Sequence, residues 1–93
     1  MKKRTKIIAT LGPASTSPSK IEGMLHAGAD VFRINLSHAS IDEAKDIISL
    51  VRSQEKRIGR PVAIMLDLQG QKVRIKGFGK KSHVTLKSGD KYV

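Results

Sequence analysis

The sequence predicts an α/β fold that opens β-α-β-α-β, and three observations carry that expectation. Short aliphatic runs recur near Lys6, Val31 and Val62, each bounded by turn residues. Between them the apolar residues switch to helical spacing behind cap residues. Two Phe, one Tyr and no Trp leave a core of Ile, Val, Leu and Ala, the usual filling of parallel strands and their covering helices. Strands made parallel by right-handed crossovers in this order begin either a doubly wound sheet or a (β/α)8 barrel.

The elements follow in order. Lys6 to Leu11 is a short strand closed by Gly12-Pro13. Ser17 stands as N-cap before Pro18 at the first helical position, and Ile21, Met24 and Leu25 form the apolar stripe of a helix that Gly28 ends. Val31 to Leu36 is the second strand. Ser40 and Glu43 make a capping box for a longer helix with Ala44, Ile47, Ile48 and Val51 on its buried face, stopped by Gly59 and Pro61. Val62 to Leu68 is nearly unbroken in apolar character, as expected of a strand covered on both faces. After Gly70 the rhythm changes: Val73-Arg-Ile75 and His83-Val-Thr-Leu86 alternate apolar and polar, with Gly77, Gly79 and Ser88-Gly-Asp90 as turns. A β-rich insertion is expected where a third helix was due, which divides the chain into residues 1–70 and 71–93.

Composition narrows the function. A chain of 93 residues suffices for one domain or a piece of one. It has no cysteine, so disulfides and thiolate metal sites are excluded. Ile7 to Leu11 is too short for a signal-peptide apolar core and no run reaches the length of a membrane span, so a cytoplasmic protein is expected. Eighteen Lys and Arg against eight Asp and Glu give a formal charge of +10, which attracts phosphates, nucleic acid or acidic partners without choosing among them. The few aromatic residues supply no stacking platform for single-stranded nucleic acid, and a nucleic-acid partner is not expected.

The chemistry concentrates in Val31 to His38 and Ala63 to Ile75. Arg33, Asn35 and Ser37 alternate along the second strand, so all three take one face while Phe32, Ile34 and Leu36 take the other. A polar row on an apolar strand has two readings. Arg33 can pair with Asp67 at the end of the third strand and merely hold a sheet together, or it can mark an anion site at the carboxyl edge, where α/β proteins bind ligands.

Three stretches extend this reading to a family: Thr5-Lys-Ile-Ile-Ala-Thr-Leu-Gly-Pro-Ala-Ser15, Ala27-Gly-Ala-Asp-Val-Phe-Arg-Ile-Asn-Leu-Ser-His38 and Met65-Leu-Asp-Leu-Gln-Gly-Gln-Lys-Val-Arg-Ile75. In order and spacing they resemble the amino-terminal part of the pyruvate kinases. The resemblance implies the start of a (β/α)8 TIM barrel followed by the first strands of an inserted small β domain. It implies phosphoryl transfer from phosphoenolpyruvate to ADP, giving pyruvate and ATP. Arg33 resembles the catalytic arginine that binds the phosphoenolpyruvate phosphate. Asn35, Leu36, Ser37, His38 and Arg74 match nucleotide-contacting positions. Asn35, Ser37, Asp67 and the carbonyl of Leu68 match the ligands of an activating potassium ion.

The motif Asp67-Leu-Gln-Gly-Gln-Lys72 departs from the potassium-requiring type Asp-Thr-Lys-Gly-Pro-Glu, and its lysine follows the potassium-independent type. The Lys72 ammonium is therefore expected to supply the missing positive charge. Two further departures, Gln71 for the usual proline and Ala39 for a usual glycine, are expected to alter backbone freedom near the site. The family's Mg2+ ligands and its phosphoryl-stabilising lysine fall beyond Val93, so the 93-residue piece alone is expected to be inactive. The remainder of the enzyme is the expected partner, and the complete protein is expected to be a homo-oligomer. The alternative is a truncated, non-catalytic module that binds the phosphates of nucleotide or RNA.

Overall fold

The computed structural model describes residues 3–71 and 73–92. Strands β1 (Ile8–Leu11), β2 (Val31–Asn35) and β3 (Ala63–Asp67) form a parallel sheet in the order β1-β2-β3, connected by helices α1 (Pro18–Ala27) and α2 (Ile41–Ile58). All five expected elements are present, with strand ends shorter than the apolar runs. The flanking residues still bond across the sheet: the Ile7 carbonyl accepts the Val31 N–H at 3.1 Å, and the Leu36 N–H donates to the Asp67 carbonyl at 3.0 Å.

Local signals set most boundaries. Gly28 and Gly59 end the two helices in left-handed conformation, with φ of 106° and 73°, where a side chain would be strained. The capping box of α2 forms as expected: the Glu43 N–H donates to Ser40 Oγ at 3.2 Å, and the Ser40 N–H donates to Glu43 Oε2 at 2.7 Å. Ser17 occupies the N-cap of α1, but its hydroxyl lies 3.4 Å from Ser19 Oγ and caps no helical N–H. Pro18 at the first position already removes one of the donors a cap would satisfy.

Register and burial together show a one-sided core. Ala9, Phe32 and Ile64 are paired across the sheet, as are Leu11, Ile34 and Leu66, and this face meets the helices. Phe32 packs in one cluster with Leu11 of β1, Ile21 and Leu25 of α1 and Val51 of α2, and Ile34 is buried as well. The opposite face carries Ile8, Thr10, Arg33, Asn35, Met65 and Asp67 and has no covering layer among the described residues. Both helices lie on the same side because both crossovers advance in the same direction with the same hand.

Two expectations are corrected. The third strand is not covered on both faces: Met65, on the open face, is 42% exposed, and Leu66, on the helix side of an edge strand, is 44% exposed. Nor do Val73–Ile75 and His83–Leu86 form strands. Among the described residues this part contains only an isolated antiparallel bridge between Phe78 and Lys81. Alternating sequence favours a strand only where partners complete the ladder, and a lone hairpin is marginal in water. The radius of gyration of 17.7 Å, against about 12 Å for a compact domain of this length, shows that the chain does not close into one globule.

At the amino-terminal edge of the sheet, Asp30 anchors the entry to β2. It pairs with Lys3, accepts the Ile7 N–H at 2.8 Å and faces Arg60 at 3.7 Å. The Lys3 hydrogen bond, then that from Ile7, hold its carboxyl below the usual aspartate range. Arg52 and Glu55 perform a similar task before β3. Glu55 accepts the Val62 N–H at 3.0 Å, while Arg52 donates at 2.8 Å both to Glu55 and to the Val62 carbonyl.

Candidate functional site

Arg33 sits mid-strand on the open face, in register between Thr10 and Met65. Its Nη2 pairs with Asp67 Oδ2, and its Nη1 donates to Thr10 Oγ1 at 3.3 Å. The side chains of the pair are 30% and 39% exposed. An ion pair so open to water contributes at most about 1 kcal/mol, so sheet cohesion is a weak reason for placing two charges here.

The strand ends gather the remaining candidates. Asn35 is the register partner of Asp67, and the Leu36 N–H donates to the Asp67 carbonyl at 3.0 Å. Asn35 Oδ1 accepts the Ser37 N–H at 3.0 Å, folding the chain back over the strand end. The carbonyl of Asn35 then accepts the N–H groups of His38 and Ala39 at 3.1 and 3.2 Å. Among the described residues no non-glycine has positive φ, so Ala39 fits this turn without backbone strain. Leu68 follows Asp67 and is exposed. Arg33, Asn35, Leu36, Ser37, Asp67 and Leu68 thus share one edge.

A cleft of about 600 Å3 opens beside this edge on the helix side. Leu11 and Ile34 contribute buried apolar surface, with Pro13, Ile47 and Leu50 alongside. Thr10, Thr16, Asn35, His38, Glu43 and Asp46 supply polar groups. The backbone hydrogen bond from Ser40, then the bond involving its hydroxyl, hold the Glu43 carboxyl below the ordinary glutamate value. The volume and the mix of apolar surface with a few convergent polar groups suit a small organic ligand.

Not every candidate joins the site. Arg74 is exposed, and among the described residues every hydrogen bond within 73–92 stays in that stretch. Lys72 lies outside the described residues. Conversely, sequence reasoning missed Thr10, Gly12, Pro13, Glu43 and Asp46 as lining groups. Thr10 was recoverable in part, since it puts a hydroxyl near the end of an aliphatic strand, but its pairing with Arg33 depends on strand register. Among the described residues no cluster of three or more His, Asp or Glu side chains could hold a metal ion, and no helix is long and apolar enough to cross a membrane.

Comparison with known proteins decides the family: the model described as pyruvate kinase, barrel domain, matches residues 2–93. The chain belongs to the pyruvate kinase family. It is 51% identical over 76 residues to a pyruvate kinase of Methylorubrum extorquens, covering 82% of this chain and 16% of that protein. It is 44% identical over 91 residues to pyruvate kinase II of Salmonella typhimurium, covering 98% of this chain and 19% of that protein. To a pyruvate kinase of Thermococcus litoralis it is 47% identical over 90 residues, 97% of this chain and 19% of that one. The chain therefore spans less than a fifth of the length of these pyruvate kinases.

Proposed function

We propose that this chain is the opening part of a cytoplasmic pyruvate kinase, in which residues 1–70 begin a (β/α)8 barrel and residues 71–93 begin an inserted β domain. The complete enzyme transfers a phosphoryl group from phosphoenolpyruvate to ADP, giving pyruvate and ATP. The observation that carries this reading is the placement of Arg33: a permanently charged, planar donor on the uncovered sheet face, mid-strand, held by Thr10 and by Asp67 at the carboxyl end of β3. In a closed barrel that face is the interior and that edge is the active-site end.

The roles then distribute along the edge. Arg33 clamps the phosphate of phosphoenolpyruvate through its guanidinium fork. The nucleotide enters the cleft by Asn35, Leu36, Ser37 and His38, with Arg74 brought in by the completed β domain. Asn35, Ser37, Asp67 and the Leu68 carbonyl all offer oxygen, the donor a hard cation such as potassium prefers. The Lys72 ammonium supplies an alternative positive charge in place of the potassium ion. Bound Mg2+ neutralises phosphate charge, and its ligands are assigned to parts of the enzyme outside this chain.

The test is a coupled assay of pyruvate formation from phosphoenolpyruvate and ADP with magnesium, run on the complete protein and on the 93-residue chain. Turnover by the first and none by the second is expected. Turnover by the isolated chain rejects the division of the site, and no turnover by either rejects the catalytic reading.

A second reading follows from the charge of the last part of the chain. Residues 73–92 carry six Lys or Arg against one Asp, all exposed. A non-catalytic module binding the phosphates of nucleotide or RNA would show affinity falling steeply with salt as counterions are released. Salt-independent or absent RNA binding removes it.

A further inference from the structure

We propose that Thr10 is a further binding residue for the phosphate that Arg33 clamps, donating its hydroxyl proton to a phosphate oxygen beside the guanidinium. The inference rests on the reading of Arg33 given above. Thr10 of β1 is the register partner of Arg33 of β2. Partners in a parallel ladder project to the same face, so the two side chains stand next to each other on the open face of the sheet. The guanidinium lies across the strands: Nη1 donates to Thr10 Oγ1 at 3.3 Å, and Nη2 pairs with Asp67 at the end of β3. Three adjacent strands thus supply a hydroxyl, a cation and a carboxylate in a row. The row is not symmetric. An anion held by Arg33 is repelled by the Asp67 carboxylate and not by the Thr10 hydroxyl, so it settles toward β1.

The hydroxyl is free to meet that anion. Threonine carries one O–H donor and two acceptor lone pairs. Arg33 occupies a lone pair, and since two donors cannot face each other the hydroxyl proton turns away from the guanidinium. Among the described residues that proton has no acceptor, and Thr10 is exposed on the open face. Accepting from a cationic donor also polarises the hydroxyl, which strengthens the bond it donates. Strand formation alone favours a β-branched residue at this exposed position and is served as well by valine. It gives no reason for an oxygen directed at Arg33. Arg33 attracts the phosphate, and Thr10 fixes where along the row it rests.

The experiment measures equilibrium binding of phosphoenolpyruvate, with magnesium and without ADP, to the complete enzyme and its Thr10→Val and Thr10→Ser variants. Thr10→Val should raise the Kd about tenfold, the lower end for a hydrogen bond to a charged group, because the site is open to water. Thr10→Ser keeps the hydroxyl and should restore most of that loss. Product inhibition by pyruvate, which lacks the phosphate, should be unmoved in both. In an Arg33→Lys background Thr10→Val should still weaken binding severalfold, and no further loss there would show Thr10 to act only by holding Arg33, which overturns direct donation. Equal losses of phosphoenolpyruvate and pyruvate affinity overturn the inference, as does a serine variant as impaired as the valine one. Binding that is lost in Arg33→Met and kept in Thr10→Val overturns this inference alone. A wild-type enzyme that neither binds nor turns over phosphoenolpyruvate overturns the reading of Arg33 itself and this inference with it.

Discussion

Replacing Arg33 by Met in the complete enzyme should abolish most phosphoenolpyruvate turnover while leaving the sheet intact. A guanidinium carries five N–H donors. Nη2 pairs with Asp67 and Nη1 donates to Thr10, which leaves three donors and allows a phosphate to take two of them without displacing either partner. Hydrogen bonds to a charged group contribute about 1.5–3 kcal/mol each, so the loss is about 3–6 kcal/mol, or two to four orders of magnitude in kcat/KM. Arg33→Lys keeps the charge and one bond, and should recover roughly half of that loss on the logarithmic scale. The structural cost is small, since the Arg33–Asp67 pair is partly solvated and Met fills the stem's volume. Steady-state kinetics at varied phosphoenolpyruvate, with a thermal melt of each variant, measures both. A change in kcat/KM below threefold, or a lysine variant as impaired as the methionine one, refutes the clamp.

The other predictions concern the cation, the cap, acid stability and association. If Lys72 supplies the monovalent charge, the complete enzyme turns over in buffer free of sodium and potassium, and strict dependence on added potassium rejects that role. Ser40→Ala removes the cap of α2 and should lower stability by about 1 kcal/mol, read as a lower urea midpoint at unchanged slope. Glu55 is held below the ordinary glutamate value of 4.5 by the Val62 N–H and then by Arg52, and Glu43 by Ser40. Depressed carboxylates add stability above their unfolded pKa and lose it as pH falls through the folded one. Acid titration should therefore destabilise the chain below pH about 4.5, and a flat profile from there to pH 3 contradicts these hydrogen bonds. The isolated chain exposes Ile8 and Met65 on an open face and Leu66 at an unpaired edge. It should self-associate in sedimentation, whereas a monomer with one cooperative unfolding transition would show that the open face needs no cover.

The elements and their boundaries were legible because local chemistry sets them. Pro18 starts α1, Gly28 and Gly59 end the helices, and Ser40 with Glu43 starts α2, all through contacts within a few residues. Ser17 shows the limit, since its type and position are those of a cap while its hydroxyl turns to Ser19. The burial of β3 was not legible, because an apolar run reports the environment it suits and not whether covering elements are present. The same reason applies to Val73–Ile75 and His83–Leu86, whose alternation forms no ladder among the described residues.

By itself the sequence determined the order of strands and helices, the polar row Arg33, Asn35 and Ser37, and the family to which its three motifs belong. Alternation along a strand is a property of the backbone and needs no partner to be read. Only the tertiary structure decided that Thr10 and Asp67 flank Arg33, that Asn35 and Asp67 end neighbouring strands together, and that Glu43 and Asp46 face the same cleft as His38. Those relations depend on parallel register and on where α2 lies across the sheet. Both are set by packing between segments 20 to 35 residues apart, a separation over which no local pattern carries information.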